Sequence, residues 1–372
     1  MKKIIVVMLI ALIALTPVFA KGDNKKSSKA TDVRTYEKTK IAVVYSTFTD
    51  LLGSQFKGSL ESLSTYFNVE FVFVETGFNT EEAMAKTDAM FQMDLDGVIF
   101  VTPNVANLDA ASKKKIPLIA LNEPVDEETA NQLEGYSNYL GGVVNDDYAV
   151  GCSAAEALYN AGCKNICISY LTPGLSKNHQ DRYEGFKAVL ANHPDMNVLS
   201  EYSSRAQWPA AVNTFAAAFP EMDGLFSTAF SEPGYTAIRK NGLIGKIKLA
   251  TVDISESTPD YLDNGVICSI AGGQYNKIML AFAALYNYIY DGTRILDSLG
   301  GYCYTPFLQI TSSKDYKVYE KYVASGTGLW VYTPEVIESL IMGKNPDMTP
   351  EKFAKFAKSY SVAQVMSLRT SN

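Results

Sequence analysis

A short polar loop at residues 46–50 holds the first side chains that could bind a ligand. It contains hydroxyl groups, a carboxylate and an aromatic ring, and Ser46 and Phe48 lie within it. The loop follows a β-branched run at residues 40–45, which is typical of a strand buried on both faces of a parallel sheet. Ligands in open α/β sheets bind in the loops at the carboxyl ends of the strands. We therefore expect Ser46, Phe48 and their neighbours to form part of a binding surface.

Side chains typical of catalysis or metal binding are sparse. The two histidines, His179 and His193, do not lie in a nucleophile motif. Residues 242–246 have the wrong glycine spacing for a phosphate-binding loop, and residues 94–97 are too short for a calcium loop. The sequence therefore favours a binding protein with no metal and no cofactor over an enzyme.

The five cysteines do not form a recognisable metal or disulfide pattern. Cys163 and Cys167 lack a second Cys or His pair at zinc spacing. An odd number in an exported protein leaves at least one free thiol, and a chain of this size does not need disulfides. We expect most of these cysteines to be buried as small hydrophobic residues.

The elements around the loop alternate between strands and helices. After the loop, one helical face is formed by Leu51, Leu52, Phe56, Leu60, Leu63 and Phe67. Further strands are predicted at residues 69–75, 96–103 and 116–121, and a second block predicts strands at residues 142–145, 164–171, 196–203, 224–228 and 247–253. Strands that alternate with helices predict parallel, doubly wound α/β sheets. Two blocks of similar size predict two similar lobes.

The last part of the chain is predicted to contain a long helix over residues 274–290 and a late strand over residues 304–310. Two further helices are predicted over residues 334–342 and 350–366. The sequence leaves two roles open for the segment after Ile310, which either braces the second lobe or contacts a partner.

The amino terminus and the charge indicate where the protein works. Residues 1–20 have two lysines, an apolar run and a small-residue cleavage site ending at Ala20, which is the pattern of a signal peptide. A cysteine does not follow this site, so the pattern of a lipid-anchored protein is missing, and residues 21–39 predict a flexible leader. The formal net charge of -7 argues against nucleic-acid binding. We expect an exported, periplasmic protein.

Five stretches match a known pattern and lie at residues 41–48, 116–123, 181–186, 251–253 and 269–274. The most specific is Arg182-x-x-Gly185-Phe186. Together they resemble the type I periplasmic binding proteins, the ribose-binding-like group that serves sugar-type ABC transporters. The resemblance implies two Rossmann-like lobes with parallel, doubly wound sheets, which are joined by a three-segment hinge and close on a ligand.

The resemblance also implies where the chain passes between the lobes. The crossings would fall near Asn145, Gly273 and Phe307. The N-terminal lobe would comprise residues 40–144 plus 274–304, and the C-terminal lobe residues 145–273 plus 305–372.

Carried over residue by residue, the resemblance implies a ligand site between the lobes. Its members would be Ser46, Phe48, Asn122, Glu123, Arg182, Trp208 and Asp253, with Phe230 and Gln274 as neighbours. Carboxylates, amides and the arginine would hydrogen-bond the ligand's hydroxyl groups. The aromatic rings would stack on its apolar face.

The sequence departs from the sugar-binding pattern at three places. Asn122-Glu123 stands where a sugar binder commonly has Asp-Arg, and residues 227–232 lack the usual Asn-Asp pair. Gly273 stands where a glutamine is expected, although Gln274 is adjacent. The ligand class therefore stays open between a sugar or sugar-like molecule and a nucleoside or cationic compound.

The leading functional prediction is a monomeric solute-binding protein that delivers a small polar ligand to a membrane ABC permease. An alternative is a periplasmic sensor that presents its loaded form to a receptor. A secreted hydrolase has less support, because the sequence lacks a recognisable nucleophile and base.

Overall fold

The computed structural model describes residues 36–125, 127–324 and 330–370. The predicted signal peptide at residues 1–20 lies outside the described residues, as does most of the leader predicted at residues 21–39. None of the helices in the described ranges has the length and apolar character of a membrane span. Within the same ranges, His, Cys, Asp and Glu side chains do not form a cluster that could hold a metal ion.

Strands and helices alternate along the described chain. The strands are β1 (Thr39–Tyr45), β2 (Val69–Glu75), β3 (Gly97–Phe100), β4 (Leu118–Asn122), β5 (Tyr139–Asn145), β6 (Asn165–Leu171), β7 (Asn197–Ser204), β8 (Gly224–Ser227), β9 (Lys248–Val252), β10 (Ile267–Gly272), β11 (Tyr302–Thr305) and β12 (Leu308–Ile310). The helices are α1 (Leu51–Phe67), α2 (Thr80–Met90), α3 (Val105–Lys114), α4 (Glu127–Ala130), α5 (Asp147–Asn160), α6 (Lys177–Leu190), α7 (Trp208–Ala218), α8 (Glu232–Lys240), α9 (Thr258–Asp263), α10 (Asn276–Asp291), α11 (Ser313–Tyr322), α12 (Pro334–Glu338), α13 (Pro350–Lys358) and α14 (Val362–Thr370).

The strands form two six-stranded sheets. The first has the order β11-β5-β4-β3-β1-β2, and all of its neighbouring strands are parallel. The second has the order β12-β10-β9-β8-β6-β7, and β12 is its one antiparallel strand. We call each sheet with its flanking helices the first and the second lobe. The predicted two-lobed α/β fold is confirmed, with β12 as the departure from purely parallel sheets.

The chain passes between the lobes at three places. Strand β5 ends at Asn145 in the first sheet, and the helix that follows packs on the second sheet. Strand β10 ends at Gly272 in the second sheet, and the helix that follows packs on the first. Strands β11 and β12 belong to different sheets and are separated by Pro306 and Phe307. The predicted three-segment hinge is confirmed, whereas the predicted lobe boundaries stay a prediction.

The single late strand predicted over residues 304–310 is wrong. The chain leaves the first sheet after Thr305 and enters the second sheet at Leu308. Pro306 has no N–H group to donate to a sheet, so the apolar run around it is divided into two short strands.

The starts of α1 and α5 are set by aspartates. The Asp50 carboxylate accepts a hydrogen bond from the Gly53 N–H group at 2.6 Å, and Asp146 accepts one from Ala149 at 3.0 Å. Such caps satisfy N–H groups that have no partner within the helix. Asn145, which is also a good residue type for a helix cap, instead donates its amide to the Thr305 carbonyl at 3.0 Å.

The long helix α10 is buried along most of its length and packs against β3, β4, β5 and α1. Lys277 is its exception, because a charged side chain lies in this apolar helix with only 1% of its surface exposed. Such a burial requires polar partners.

The segment after Ile310 braces both lobes and the hinge. The Trp330 indole packs against Gly58 of α1, where any larger side chain would collide with it. The Tyr360 hydroxyl donates to the carbonyl of Gly273 at the second crossing. The helix predicted over residues 350–366 is interrupted, since it ends at Lys358 and resumes at Val362. The helix predicted over residues 334–342 is shorter and ends at Glu338.

All five cysteines are free thiols. Cys163, Cys167 and Cys303 are buried, and burial raises the pKa of each of these thiols to about 12. These buried thiols are therefore protonated at neutral pH and serve as small core side chains.

Candidate ligand-binding cleft

A cavity of about 310 Å³ is lined by residues of both lobes and of the hinge. Its lining consists of Asp50, Leu51, Leu52, Asp253, Ile254, Gly273, Gln274 and Tyr275. The first three residues follow β1, the next two follow β9, and the last three follow β10. The cavity therefore lies at the carboxyl ends of parallel strands, which is where such sheets bind ligands.

Two carboxylates reach this cavity from opposite lobes. Asp50 is held in place because its Oδ2 atom accepts a hydrogen bond from the Tyr45 hydroxyl at 3.3 Å, in addition to the bond that caps α1. Asp253 has a left-handed backbone conformation, with a φ angle of 76°, and its N–H group donates to Ala271 at 2.9 Å. Burial raises the pKa of Asp253, which outweighs the attraction of Arg182 and Lys277.

A direct hydrogen bond joins the lobes across the cleft. The Ser176 hydroxyl, next to α6 in the second lobe, donates to the Glu123 carboxylate after β4 at a distance of 3.1 Å. Burial raises the pKa of Glu123. Glu123 thus has a partner from the opposite lobe but is not part of the cavity lining, and its predicted ligand contact stays a prediction.

Lys277 ties the first two hinge crossings to the end of β4. Its Nζ atom donates to Asn122 Oδ1 at 2.5 Å and to Asn145 Oδ1 at 2.7 Å. Asn122 adopts a left-handed conformation, with a φ angle of 84°, which side chains other than glycine and asparagine rarely tolerate. Burial lowers the pKa of Lys277 to about 7.

Arg182 forms a buried ion pair close to the cleft. Its Nε atom donates to Asp147 Oδ1 at 2.7 Å, and Nη1 donates to the Thr228 carbonyl at 2.8 Å. Its guanidinium group lies 5.3 Å from the centre of the Phe307 ring at the third crossing. Burial raises the pKa of Asp147, although the charge of Arg182 opposes this. Arg182 therefore joins α5, α6, β8 and the hinge, and its predicted ligand contact stays a prediction.

Two glycines explain the spacing of the Arg182 motif. Gly151 of α5 and Gly185 of α6 lie where the helices touch, and a Cβ atom at Gly185 would come within 2.1 Å of the Tyr148 carbonyl oxygen. The close approach of the helices brings Asp147 and Arg182 together. Asp181 and Glu184 are closer to Arg182 in the sequence than Asp147 is, and neither forms this ion pair.

The predicted aromatic contacts are packed inside the protein. Phe48 is 9% exposed, and its ring lies edge-on to Phe73 at a centroid distance of 5.1 Å. Phe230 is 4% exposed and packs edge-on against Tyr235 at 4.9 Å. Both rings have core partners, and the ligand contacts predicted for Phe48 and Phe230 stay predictions. Leu51 and Leu52 line the cavity in this part of the first lobe.

Trp208 is the first residue of α7 and is buried. Its ring is nearly parallel to the His179 imidazole at a centroid distance of 6.4 Å. His179 Nδ1 lies 2.9 Å from the Thr228 hydroxyl, and burial lowers the pKa of His179 to about 3. The imidazole is therefore neutral at physiological pH and hydrogen-bonded to Thr228, which follows β8 in the second lobe.

Of the remaining predicted residues, Gln274 lines the cavity beside Asp253. Ser46 is half-buried, and its carbonyl accepts a hydrogen bond from Gly77 at 2.8 Å. Ser46, like Phe48, is not part of the cavity lining. The ligand contacts of the predicted residues stay predictions, but Asp253 and Gln274 have the position that such contacts require.

Sequence reasoning did not single out Asp50, Leu51, Leu52 or Lys277 as site residues. Asp50 belongs to the polar loop that is expected to form part of a binding surface, and the two leucines are predicted only as part of a helical face. A usable signal existed for Lys277, because it is the only charged residue in α10 before Asp291. A lone cation shortly after a hinge crossing indicates a structural or binding role.

A second and larger cavity of about 420 Å³ lies beside the first and third hinge crossings. Its lining includes Asp146, Ser153, Tyr304, Phe307 and Lys358. Residues of the loops after β1, β4 and β9 do not contribute to it. It therefore lacks the strand-end side chains that face each other in the smaller cavity.

Comparison with known proteins identifies the family. A profile of the periplasmic binding protein domain matches residues 41–292. The chain belongs to the periplasmic binding protein family. The match covers both sheets except the first two residues of β1 and all of β11 and β12, and it contains every strand end that lines the cavity between the lobes.

Solved structures share the fold of this periplasmic binding protein. A periplasmic sugar-binding protein from Pseudomonas fluorescens has a TM-score of 0.71 and 14% identity, covering 88% of this chain and 99% of its own. A solute-binding protein of an ABC transporter from Agrobacterium vitis, bound with α-D-tagatopyranose, has a TM-score of 0.63 and 21% identity, covering 74% and 96%. The resemblance to type I periplasmic binding proteins is confirmed.

One curated relative matches part of the chain. Catabolite control protein A of Priestia megaterium is 21% identical over 152 residues, which is 41% of this chain and 43% of that protein. The chain thus matches less than half the length of that relative.

Proposed function

We propose that this periplasmic binding protein is exported and captures a small polar solute, a sugar or sugar-like molecule, between its lobes for an ABC importer. The observation that carries the proposal is the cavity in which Asp50 of the first lobe and Asp253 of the second line the same space. A solute bound to both carboxylates favours the closed arrangement, because it contacts both lobes only when they are close together.

The chemistry of the cavity supports a hydroxylated ring. Carboxylates accept hydrogen bonds from hydroxyl groups, and such charge-assisted bonds are the strong ones. Leu51, Leu52 and Ile254 add apolar surface that suits the C–H face of a ring. The volume of about 310 Å³ lies at the small end of ligand sites, which span about 300–1,000 Å³. The sugar ligands of related folds support this class, while a nucleoside is the alternative that the sequence leaves open.

The direct test is thermal unfolding of the purified protein with a panel of sugars, cyclitols, nucleosides and amino acids. A ligand that binds only the folded state raises the melting temperature by mass action. At a hundredfold excess over Kd, the free energy of unfolding increases by about 2.7 kcal/mol. We expect a sugar-class compound to raise it. A panel in which every compound leaves the melting temperature unchanged would refute capture of these classes.

Export and delivery are tested separately. We expect the secreted protein to begin near Lys21, as the pattern in residues 1–20 predicts. The loaded protein should retain an ABC permease from membrane extracts more strongly than the unloaded protein. Recovery of a receptor in place of a permease would favour the sensor alternative, and an intact amino terminus in the secreted fraction would contradict cleavage.

A further inference from the structure

The charges that line the interlobe cavity are unbalanced, which bears on the class of solute and rests on the function proposed above. Asp50 and Asp253 contribute carboxylates, and Gln274 contributes an amide. Lysine, arginine and histidine do not occur among the lining residues. A solute that enters this space therefore meets hydrogen-bond acceptors and negative charge.

The nearest cations already have partners. Lys277 donates to the side-chain oxygens of Asn122 and Asn145 at 2.5 and 2.7 Å. Arg182 donates to Asp147 and to the Thr228 carbonyl at 2.7 and 2.8 Å. Both cations act on Asp253 only at longer range, and they do not form an ion pair with it within the described part of the chain.

Gln274 is a second indication that the cavity accommodates a polar solute. Its side chain is 9% exposed and lines the cavity, and its amide forms no hydrogen bond with the described residues. Buried amides are normally hydrogen-bonded, and an amide that lacks a protein partner needs one from elsewhere. Gln274 can accept from a solute or donate to it.

The remaining lining limits the shape of the solute. Leu51, Leu52, Ile254 and Tyr275 provide apolar walls. A volume of about 310 Å³ suits a molecule of one saturated ring rather than an oligosaccharide.

We propose that the solute is a monosaccharide-sized ring that carries a protonated amine, such as an amino sugar or an aminocyclitol, and that Asp50 and Asp253 hold the amine. An ammonium group supplies three donors and one positive charge. A neutral sugar would hydrogen-bond the two aspartates without adding positive charge beside them, whereas an ammonium group does both. The protein therefore distinguishes its solute from neutral sugars by this amine.

The test is isothermal titration with matched pairs in one slightly acidic buffer: glucosamine against glucose and N-acetylglucosamine, and galactosamine against galactose. We expect the amine to bind at least about tenfold more tightly than its neutral partner, which corresponds to about 1.4 kcal/mol. Equal or tighter binding of the neutral sugars would overturn the inference and leave the proposed function intact. An absence of binding by every sugar would overturn both.

Substitutions of Asp50 and Asp253 test whether these two residues cause the preference for the amine. Asp253→Asn and Asp50→Asn keep the side-chain shape and remove the charge, and asparagine remains a good cap for α1. The control is Asp146→Asn, because Asp146 also caps a helix but is not part of this cavity. We expect both cavity variants to lose the preference for the amine and the control to keep it. A preference that survives in the Asp50→Asn and Asp253→Asn double variant would contradict the proposal.

Discussion

The Ser176 hydroxyl lies 3.1 Å from the Glu123 carboxylate, and this hydrogen bond joins the two lobes across the cleft. Glu123 follows a strand of the first sheet, and Ser176 precedes a helix of the second lobe. The lobes are therefore in direct contact at the site. A bond that spans the two lobes is lost when they separate, so it favours the arrangement in which they are close together.

The first prediction concerns this closing bond. We expect Ser176→Ala to weaken solute binding by about 0.5–1.5 kcal/mol, the usual net contribution of one hydrogen bond. Most of the effect should appear as faster dissociation, measured by stopped-flow mixing. Ser153→Ala is the control, because Ser153 is exposed and bonds only within α5. Equal dissociation rates for the Ser176 variant and the control would contradict a role in closure.

The second prediction concerns the buried ion pair of Arg182 and Asp147. Arg182→Met leaves a buried carboxylate without its partner, so we expect the free energy of unfolding to fall by about 3–5 kcal/mol. The control is Lys187→Met, which breaks the more exposed pair with Glu201 and should cost about 1 kcal/mol or less. Urea unfolding measures both. A cost for Arg182→Met no larger than that of the control would show that the pair does not stabilise the fold.

The third prediction follows from Lys277, whose pKa burial lowers from 10.5 to about 7. Between these two values the unfolded chain binds the proton and the folded chain does not, so the contribution of Lys277 to stability rises with pH. We expect the wild type to gain about 2 kcal/mol relative to Lys277→Met between pH 7 and pH 9. Urea unfolding at both pH values measures the difference. A difference in unfolding free energy between the wild type and Lys277→Met that is the same at pH 7 and pH 9 would contradict a lowered pKa.

The fourth prediction concerns the carboxyl-terminal segment. Tyr360→Phe removes the hydroxyl that donates to the Gly273 carbonyl and leaves a buried acceptor unpaired, which should cost about 1–3 kcal/mol. Because Gly273 is at the second hinge crossing, solute affinity should change as well. Tyr290→Phe is the control, since Tyr290 is 42% exposed. An unchanged affinity together with an unchanged unfolding free energy would show that Tyr360 does not support the hinge.

The fold could be predicted because its pattern is local. Buried runs such as residues 40–45 and 69–75 alternate with helical faces, and this alternation alone indicates parallel sheets. The prediction of a single strand over residues 304–310 failed because an apolar run does not show which sheet each of its residues joins. Pro306 was the local sign of the break.

The site could be predicted only in part, because the direction of a side chain depends on packing from distant elements. The carboxyl ends of β1, β4 and β9 were found from the sequence. Phe48 turns inward because Phe73 offers it an aromatic partner, and the sequence does not show this contact. Lys277 is brought to Asn122 and Asn145 by the hinge, across more than 130 positions of the chain.

The central claim is that one small polar solute is held by Asp50 and Asp253 between the lobes. Native mass spectrometry of the protein freshly purified from its host tests it most directly. The predicted result is one bound molecule of monosaccharide size in the wild type, which is lost from the Asp50→Ala and Asp253→Ala double variant. A bound molecule that persists in the double variant, or one of clearly different size and chemistry, would contradict the claim.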